Sequence, residues 1–136
     1  MKYPEAVLRS ALVGTTAVTS LVGTRIYPVV APSSASLPFV TWRRTAILRQ
    51  QTLGMPAGTP KVTLEFSIYG STYDQAREVA DAMRVVLDGY GGTVDNTEVK
   101  QASLENESDD FVALGGAEMP PAYQITQVYD VIWQEI

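Results

Sequence analysis

The most regular pattern of apolar and polar positions lies between residues 61 and 90. Its first part alternates with a period of two, which predicts a strand with one buried face made of Val62, Leu64, Phe66 and Ile68. From residue 72 onward the apolar residues recur every three or four positions, which predicts an amphipathic helix. The apolar stripe of this helix consists of Ala76, Val79, Ala80, Met83, Val86, Leu87 and Tyr90. Because the strand and the helix each have one apolar face, we expect these two faces to pack against each other.

The ends of this helix carry their own signals. Thr72 stands three residues before Gln75, and this spacing predicts a capping box at the N-terminus of the helix. Ser71 is a competing N-cap, because Asp74 then occupies its third helical position. We expect the helix to end at the glycines that follow it, Gly89, Gly91 and Gly92, since glycine accepts the left-handed conformation common at helix ends.

The N-terminal segment, residues 4–22, has the periodicity of a single helix. Gly14 within it costs about 1 kcal/mol relative to alanine, so it marks either a close contact or a weak point. Gly23 is the predicted C-terminal cap. Residues 26–30 then form a short extended piece, which Pro28 restricts to a sheet edge or a bulge.

Three further segments have the composition of strands, namely residues 39–49, 93–104 and 123–136. Neither face of residues 39–49 is uniformly polar, which suggests that both faces are covered. The alternation in the last strand slips at residues 127–128, where we expect a bulge or a twist.

Two longer connections, residues 50–60 and 105–121, separate the predicted strands. The order of elements is therefore helix, two or three strands, helix and two strands. This order predicts a single domain covering residues 1–136 with an α+β fold. In it, two helices pack on a mostly antiparallel sheet of four to five strands.

Composition narrows the possible functions. The hydrophobic fraction of 46% and the charged fraction of 18% are typical of a folded globular protein. The formal net charge of −5 argues against a nucleic-acid-binding protein that grips phosphates. We find no apolar run of about 18 residues that could span a bilayer, and the N-terminus lacks the pattern of a signal peptide.

The chain contains neither cysteine nor histidine. Without these residues it cannot build a disulfide, a Ser–His or Cys–His pair, or an ordinary zinc site. Its lysines, Lys2, Lys61 and Lys100, stand in no recognisable nucleophile motif. We therefore predict no catalytic residues, no metal site and no cofactor, and the protein is not expected to be an enzyme.

Two motifs resemble ligand sites only superficially. The acidic run of Glu105, Glu107, Asp109 and Asp110 lacks the spacing of a calcium-binding loop, so a solvated loop is the preferred interpretation. The glycine-rich residues 89–92 follow a helix instead of opening one, and they lack the Gly-Lys-Ser/Thr sequence of a phosphate-binding loop.

Arg43, Arg44 and Arg49 are candidates for contacts between subunits. On a strand, Arg43 and Arg44 point to opposite faces and cannot form one patch together. We expect them to make ion pairs, within the chain or between subunits.

The two long connections contain apolar residues where surface loops are normally polar. These residues are Leu53 and Met55 in the first, and Phe111, Val112, Leu114 and Met119 in the second. They either fold back on the parent sheet or dock on neighbouring subunits, since exposed apolar groups commonly mark interfaces.

Several short segments also occur in a distinctive order: Leu-Val-Gly at 21–23, Arg-Ile-Tyr-Pro at 25–28, Leu-Pro-Phe-Val at 37–40, the helix at 76–84, Leu-Asp-Gly at 87–89 and Tyr-Asp-Val-Ile-Trp at 129–133. In this order and spacing, nearly the whole chain resembles the tail-completion proteins of long-tailed bacteriophages. These are also called tail-terminator or tail-to-head joining proteins. Residues 50–60 and 105–121 match no pattern of that family.

The resemblance implies a structural protein at the tail–head junction of a virion, assembled in the cytoplasm of a bacterial host. Such proteins form a hexameric ring that caps the finished tail tube. The implied partners are therefore further copies of the chain, the tail-tube protein and the head connector or closure protein. The resemblance also implies a fold like that of the tube protein, with no membrane partner.

A ring of this kind would let DNA pass without specific binding. Six copies at −5 each carry a formal charge of −30, and an acidic lumen would repel DNA. The candidates for lining this lumen are Glu105, Glu107, Asp109 and Asp110.

Two other classes of function remain open. The chain could have another role in the same particle, as a head-closure connector or a tail-tube ring subunit. It could also be a small bacterial ligand-binding or enzyme domain, although the missing histidine and cysteine argue against this class.

Overall fold

Three helices and eight strands follow one another along the part of the chain that the structure, a computed structural model, describes: residues 3–32, 35–48, 51–52, 55–56, 60–94, 96–112 and 122–135. In chain order they are α1 (Pro4–Val13), α2 (Thr16–Val22), β1 (Ile26–Pro28), β2 (Phe39–Leu48), β3 (Gln51–Thr52), β4 (Met55–Pro56), β5 (Lys61–Gly70), α3 (Tyr73–Leu87), β6 (Gly92–Val94), β7 (Thr97–Val112) and β8 (Ala122–Glu135). The fold is α+β, as predicted.

The main sheet has six strands in the order β1-β2-β5-β8-β7-β6, and β3 pairs with β4 separately. It is mixed, because β1 runs parallel to β2 while the other neighbours are antiparallel. The prediction of a mostly antiparallel sheet of four to five strands is therefore wrong. The segment 93–104, predicted as one strand, divides into β6 and β7, and β6 has only three residues, too few to show a clear alternation in the sequence.

The predicted pairing of a strand with a helix is confirmed by β5 and α3 at the centre of the core. The apolar residues of β5 are fully buried, and so are five members of the α3 stripe: Ala76, Val79, Ala80, Met83 and Leu87. Gly70 joins the two elements. A Cβ atom there would lie 2.8 Å from the backbone nitrogen of Ala76, so only glycine fits without displacement of the backbone.

The N-terminal cap of α3 is shared between two residues. The hydroxyl of Thr72 accepts a hydrogen bond from the backbone N–H of Gln75 at 3.1 Å, so Thr72 is the N-cap. The side chain of Gln75 accepts in turn from the backbone N–H of Ser71, at 2.8 Å, instead of from that of Thr72. At the other end the helix stops at Asp88, and Gly89 has a φ of +82°.

The predicted single N-terminal helix is wrong, because it breaks into α1 and α2. Thr15 between them is extended, with φ −111° and ψ 117°. Its hydroxyl donates a hydrogen bond to the carbonyl of Ala11 at 2.8 Å, which stabilises the turn that ends α1. The weak point predicted at Gly14 is therefore the place where the helix ends. Gly23 caps α2, as predicted.

The second long connection begins later along the chain than predicted. Residues 105–112 are not a loop but the second half of β7, paired with β8 as far as Val112 and Ala122. The register of β7 shifts at Lys100 and again at Glu105, whereas β8 has no shift against β5. The bulge expected in the last strand at residues 127–128 is therefore absent, and the second bulge of β7 lies opposite Val128 and Tyr129.

The helices cover one face of the sheet, and β2 illustrates how the two faces differ. Val40 is fully buried on the helix side. Phe39 on the other face is also buried, in contact with the rings of Tyr27 and Tyr69. From Arg43 onward the described side chains of this strand are exposed, so the expectation that both faces are covered holds only for its first half.

Candidate interaction surface on β7 and α3

The acidic residues predicted to lie in a solvated loop are on β7. Glu107 and Asp109 pair with Gln127 and Ile125 of β8 on the face that α3 covers. Asp110 alternates to the opposite face, and Glu105 is the extra residue of the second bulge. The four carboxylates therefore do not form a single surface. Their role in lining a lumen stays a prediction.

Arg77 of α3 binds two acidic side chains of β7. Its guanidinium donates to Glu107 at 2.8 Å and to Asp109 at 3.0 Å, and it lies 3.5 Å from Asp81 one turn along the helix. The hydrogen bond to Glu107 raises the pKa of Arg77, although burial acts in the opposite direction. The sequence placed Arg77 on a solvated face, because its acidic partners lie about 30 positions away in the chain.

Glu107 is held between two donors. Burial alone would raise the pKa of Glu107, but hydrogen bonds from Arg77 and Gln127 outweigh burial and keep its pKa below the ordinary value of 4.5. The carboxylate is therefore ionised wherever the fold is intact near neutral pH.

Gln127 extends this network into the core. Its side-chain amide is fully buried and donates to Glu107 at 2.7 Å and to the carbonyl of Ala80 at 3.0 Å. Its carbonyl accepts from the hydroxyl of Tyr129 at 2.9 Å. Burial raises the pKa of that hydroxyl. The slip in alternation at residues 127–128 was the signal for this group: the strand does not change face there, but a polar residue takes a core position.

Three aromatic residues form an exposed group where α3 begins and β7 meets β8. Tyr123 contacts Phe111, with ring centroids 5.1 Å apart, and Tyr73, with centroids 6.2 Å apart. The hydroxyl of Tyr73 donates to Asp109 at 3.0 Å, which joins the group to the Arg77 network. Phe111 is 54% exposed, and the other two rings are also exposed.

Of the apolar interface candidates, Phe111 is exposed on the surface. Val112 is the last residue of β7, and Met55 pairs with Thr52 in the small second sheet. Leu53, Leu114 and Met119 lie outside the described residues. Docking of these residues on other subunits remains a prediction.

The outer edge of β7 is occupied by side chains and a turn. The backbone N–H of Leu104 donates to Asp88 at 3.1 Å, and that of Phe111 donates to Asp110 at 2.8 Å. Between residues 89 and 102, Gly89 and Tyr90 exchange backbone hydrogen bonds with Ala102. Capping groups of this kind prevent a second strand from pairing with an exposed edge.

The two predicted arginine contacts are on opposite faces of β2, as the alternation requires. Arg43 lies 3.3 Å from Glu65 on the face without helices, and Arg44 lies 2.9 Å from the buried Glu5 of α1. Both pairs are within the chain. Arg49 lies outside the described residues, and the use of these arginines between subunits stays a prediction.

Within the described ranges, we find no group of three or more acidic side chains that could hold a metal ion. Over the same ranges, no helix has the length and apolar character needed to cross a membrane.

Comparisons with known proteins agree with the architecture. A solved chain from the virion of a native gene transfer agent particle has the same fold, with a TM-score of 0.76. The similarity covers 98% of this chain and 99% of that chain at 15% identity, which shows the fold alone. No curated protein sequence matches. A family model described as tail completion protein gp17 matches residues 6–118, from α1 through β7. The chain therefore belongs to the tail completion protein gp17 family and is a protein of the virion tail.

Proposed function

We propose that this protein is a ring subunit that completes the tail tube and joins it to the head. The observation that carries the proposal is the family match across residues 6–118, which spans all three helices and seven of the eight strands. The similarity in fold to a chain of a phage-like virion supports it. In this proposal the ring has six copies, contacts the tail-tube protein on one side and the head connector on the other, and lets DNA pass.

The hydrogen bonding between α3 and the strands beside it fits a structural role. The polar groups of the α3–β7 network bind one another, because Arg77, Glu107, Gln127 and Tyr129 are each satisfied within the chain. An active site needs polar groups that are free to bind a substrate, and all four residues of this network are already hydrogen-bonded to one another or to the backbone. The family is one of structural tail proteins, which also argues against an enzyme.

Deletion of the gene, followed by electron microscopy of the particles, tests the proposal. We expect separate heads and tails, or tails of uncontrolled length, with normal particles restored by the wild-type gene in trans. Normal joined particles from the deletion strain would refute the role.

Localisation separates this role from its nearest competitor. Labelled antibody should bind a single position at the end of the tail tube that meets the head. Labelling along the whole tube would instead identify a tube subunit, and labelling of tail-less heads would identify a head-closure connector.

A further inference from the structure

Basic and acidic residues are concentrated in different segments of this chain, although its net charge is small. Residues 1–71 contain seven Lys and Arg against two Asp and Glu, a formal charge of +5. Residues 72–112 contain three Lys and Arg against ten Asp and Glu, a formal charge of −7. The whole chain has a net charge of only −5.

The fold converts this segregation into a difference between two edges of the sheet. The sheet order β1-β2-β5-β8-β7-β6 puts β1 and β2, from the positive segment, at one edge. It puts β7 and β6, from the negative segment, at the other, with α3 bound to β7 through Arg77. We call the side chains exposed on β1, the turn after it and β2, together with Arg9 and Arg25 beside β1, the basic edge, and those exposed on α3 and β7 the acidic edge. Arg43 and Arg44 of β2 are each paired with an acid of the same chain, so the net positive charge of the basic edge comes from Arg9 and Arg25. Their guanidinium groups donate to the backbone carbonyls of Ile26 and Pro38.

Each edge also exposes apolar side chains beside its charges. On the basic edge, Val29 and Val30 follow β1 directly and are 69% and 74% exposed. Val29 has a φ of +62°, rare for a β-branched residue, in a tight turn where the N–H of Val30 donates to the carbonyl of Pro28. The acidic edge exposes Phe111 and the two tyrosines next to it. An apolar centre with a charged rim is the usual composition of a protein interface.

The acidic edge offers side chains and not a free strand. Two amides of β7 are capped by carboxylates, and Pro28 lacks the N–H that a pairing strand would need on the basic edge. Contacts through these edges therefore depend on charge and apolar packing more than on added backbone pairing.

We propose that the basic edge of one copy docks on the acidic edge of the next, in a head-to-tail contact between copies of this chain. Opposite charges on opposite edges favour this orientation and disfavour a two-fold contact, which would bring like charges together. A heterologous contact that repeats with a closing rotation generates a ring. The inference rests on the proposed ring function and specifies its subunit contact. It assigns the exposed acids of β7 to this contact instead of to a lumen.

Cross-linking tests the orientation directly, because the natural chain has no cysteine. A chain carrying Val30→Cys and Glu105→Cys has one thiol on each edge, and both positions are exposed. In purified particles, a short thiol-specific cross-linker should yield a ladder of covalent multimers. Either substitution alone should leave the chain monomeric. A control with Ser20→Cys on α2 in place of Val30→Cys should also give no ladder.

Charge variants test the driving force. Glu78 and Glu105 are exposed and make no hydrogen bond or ion pair with any residue that the structure describes, so Glu78→Gln with Glu105→Gln should leave folding intact. We expect this variant to compete at least about tenfold less well than wild type for incorporation into particles. A variant with Ala17→Lys and Ser20→Lys on α2 changes the net charge by the same amount and should compete normally.

The outcomes separate this proposal from the proposed function. Dimers formed by a single-cysteine chain would show a two-fold contact and overturn the head-to-tail arrangement. A cross-link to a different virion protein would show another occupant of the edge and overturn it as well. Absence of any ladder, with the wild-type protein present at the tail end, would refute the edge contact and leave the tail function standing. If the wild-type protein is absent from the tail, the proposed function itself fails.

Discussion

Replacement of Gln127 by leucine should destabilise the fold although it places an apolar side chain in an apolar core. The amide of Gln127 is buried with three partners: the carboxylate of Glu107, the carbonyl of Ala80 and the hydroxyl of Tyr129. Leucine has a similar volume and no hydrogen-bonding group. The substitution therefore removes all three bonds without opening a large cavity.

The expected magnitude follows from the partners that remain. Loss of the bond to the charged Glu107 costs about 1.5–3 kcal/mol, and the hydroxyl of Tyr129 is left buried without an acceptor, at about 1–3 kcal/mol. Burial of the apolar leucine side chain stabilises the folded state by roughly 1–2 kcal/mol. We expect the free energy of unfolding to fall by about 2–4 kcal/mol in total.

Urea denaturation at neutral pH measures this effect, and a double-mutant cycle assigns it to the network. Tyr129→Phe removes the hydroxyl that Gln127→Leu leaves without an acceptor. The double variant should therefore lose about 1–2 kcal/mol less stability than the sum of the two single losses. The midpoint should shift while the slope of the unfolding transition stays constant. A neutral or stabilising effect of Gln127→Leu alone, or strictly additive single effects, would refute the reasoning.

Three further predictions follow from other local contacts. The pKa of Glu107 is lower in the folded chain than its ordinary value of 4.5, so the stability that this carboxylate contributes is complete above pH 4.5 and is lost as the pH falls through the folded pKa. Glu107→Gln should therefore make the free energy of unfolding less dependent on pH in that range. An unchanged pH profile would contradict this assignment. Thr72→Ala should lower the melting temperature, because it removes an N-cap hydrogen bond that stabilises the fold by about 1 kcal/mol. Ser71→Ala is the matched control and should have a smaller effect. Equal losses from the two substitutions would contradict the assignment of Thr72 as the cap. Gly70→Ala should destabilise by about 1–3 kcal/mol in urea denaturation, because its Cβ would meet a backbone atom of α3 at 2.8 Å; a wild-type midpoint would show that this junction can relax.

Sequence periodicity predicted those parts of the fold in which one face of an element is apolar over several turns. For β5 and α3, both the boundaries and the buried residues follow from the pattern, since each element has one buried face and a clear end signal. The break between α1 and α2 did not follow, because the apolar stripe continues from Leu12 to Val18 on both sides of it. The sequence identified Gly14 as a weak point but could not show that Thr15 would leave the helical conformation.

The candidate surface could be predicted only in part, because its contacts join residues that are far apart in the chain. The alternation of β2 correctly placed Arg43 and Arg44 on opposite faces, but nothing local identified Glu65 and Glu5 as their partners. The sequence left open whether Phe111 folds back on the sheet or faces outward, and its exposure is known only from the structure. Its ring contact with Tyr123 depends on the register of β7 against β8, which the sequence does not give.

The two bulges of β7 explain both the misplaced loop and the origin of the acidic surface. Val99 faces the core before the first bulge, and Ala102 and Leu104 do so between the bulges, so the inward positions change from odd to even. After the bulge at Glu105 they change back to odd, which turns Glu107 and the carboxylate beyond it toward α3. Without the second bulge, the alternation of Ala102 and Leu104 would continue and put Asn106, Ser108 and Asp110 on that side instead, and Arg77 would have one acidic partner on β7 at most. No fixed period of two fits such a strand, so the apolar signal ends at residue 104 although the strand continues. The same extra residue that hides the strand from periodicity therefore brings together the ion pairs that hold its acidic half against the helix.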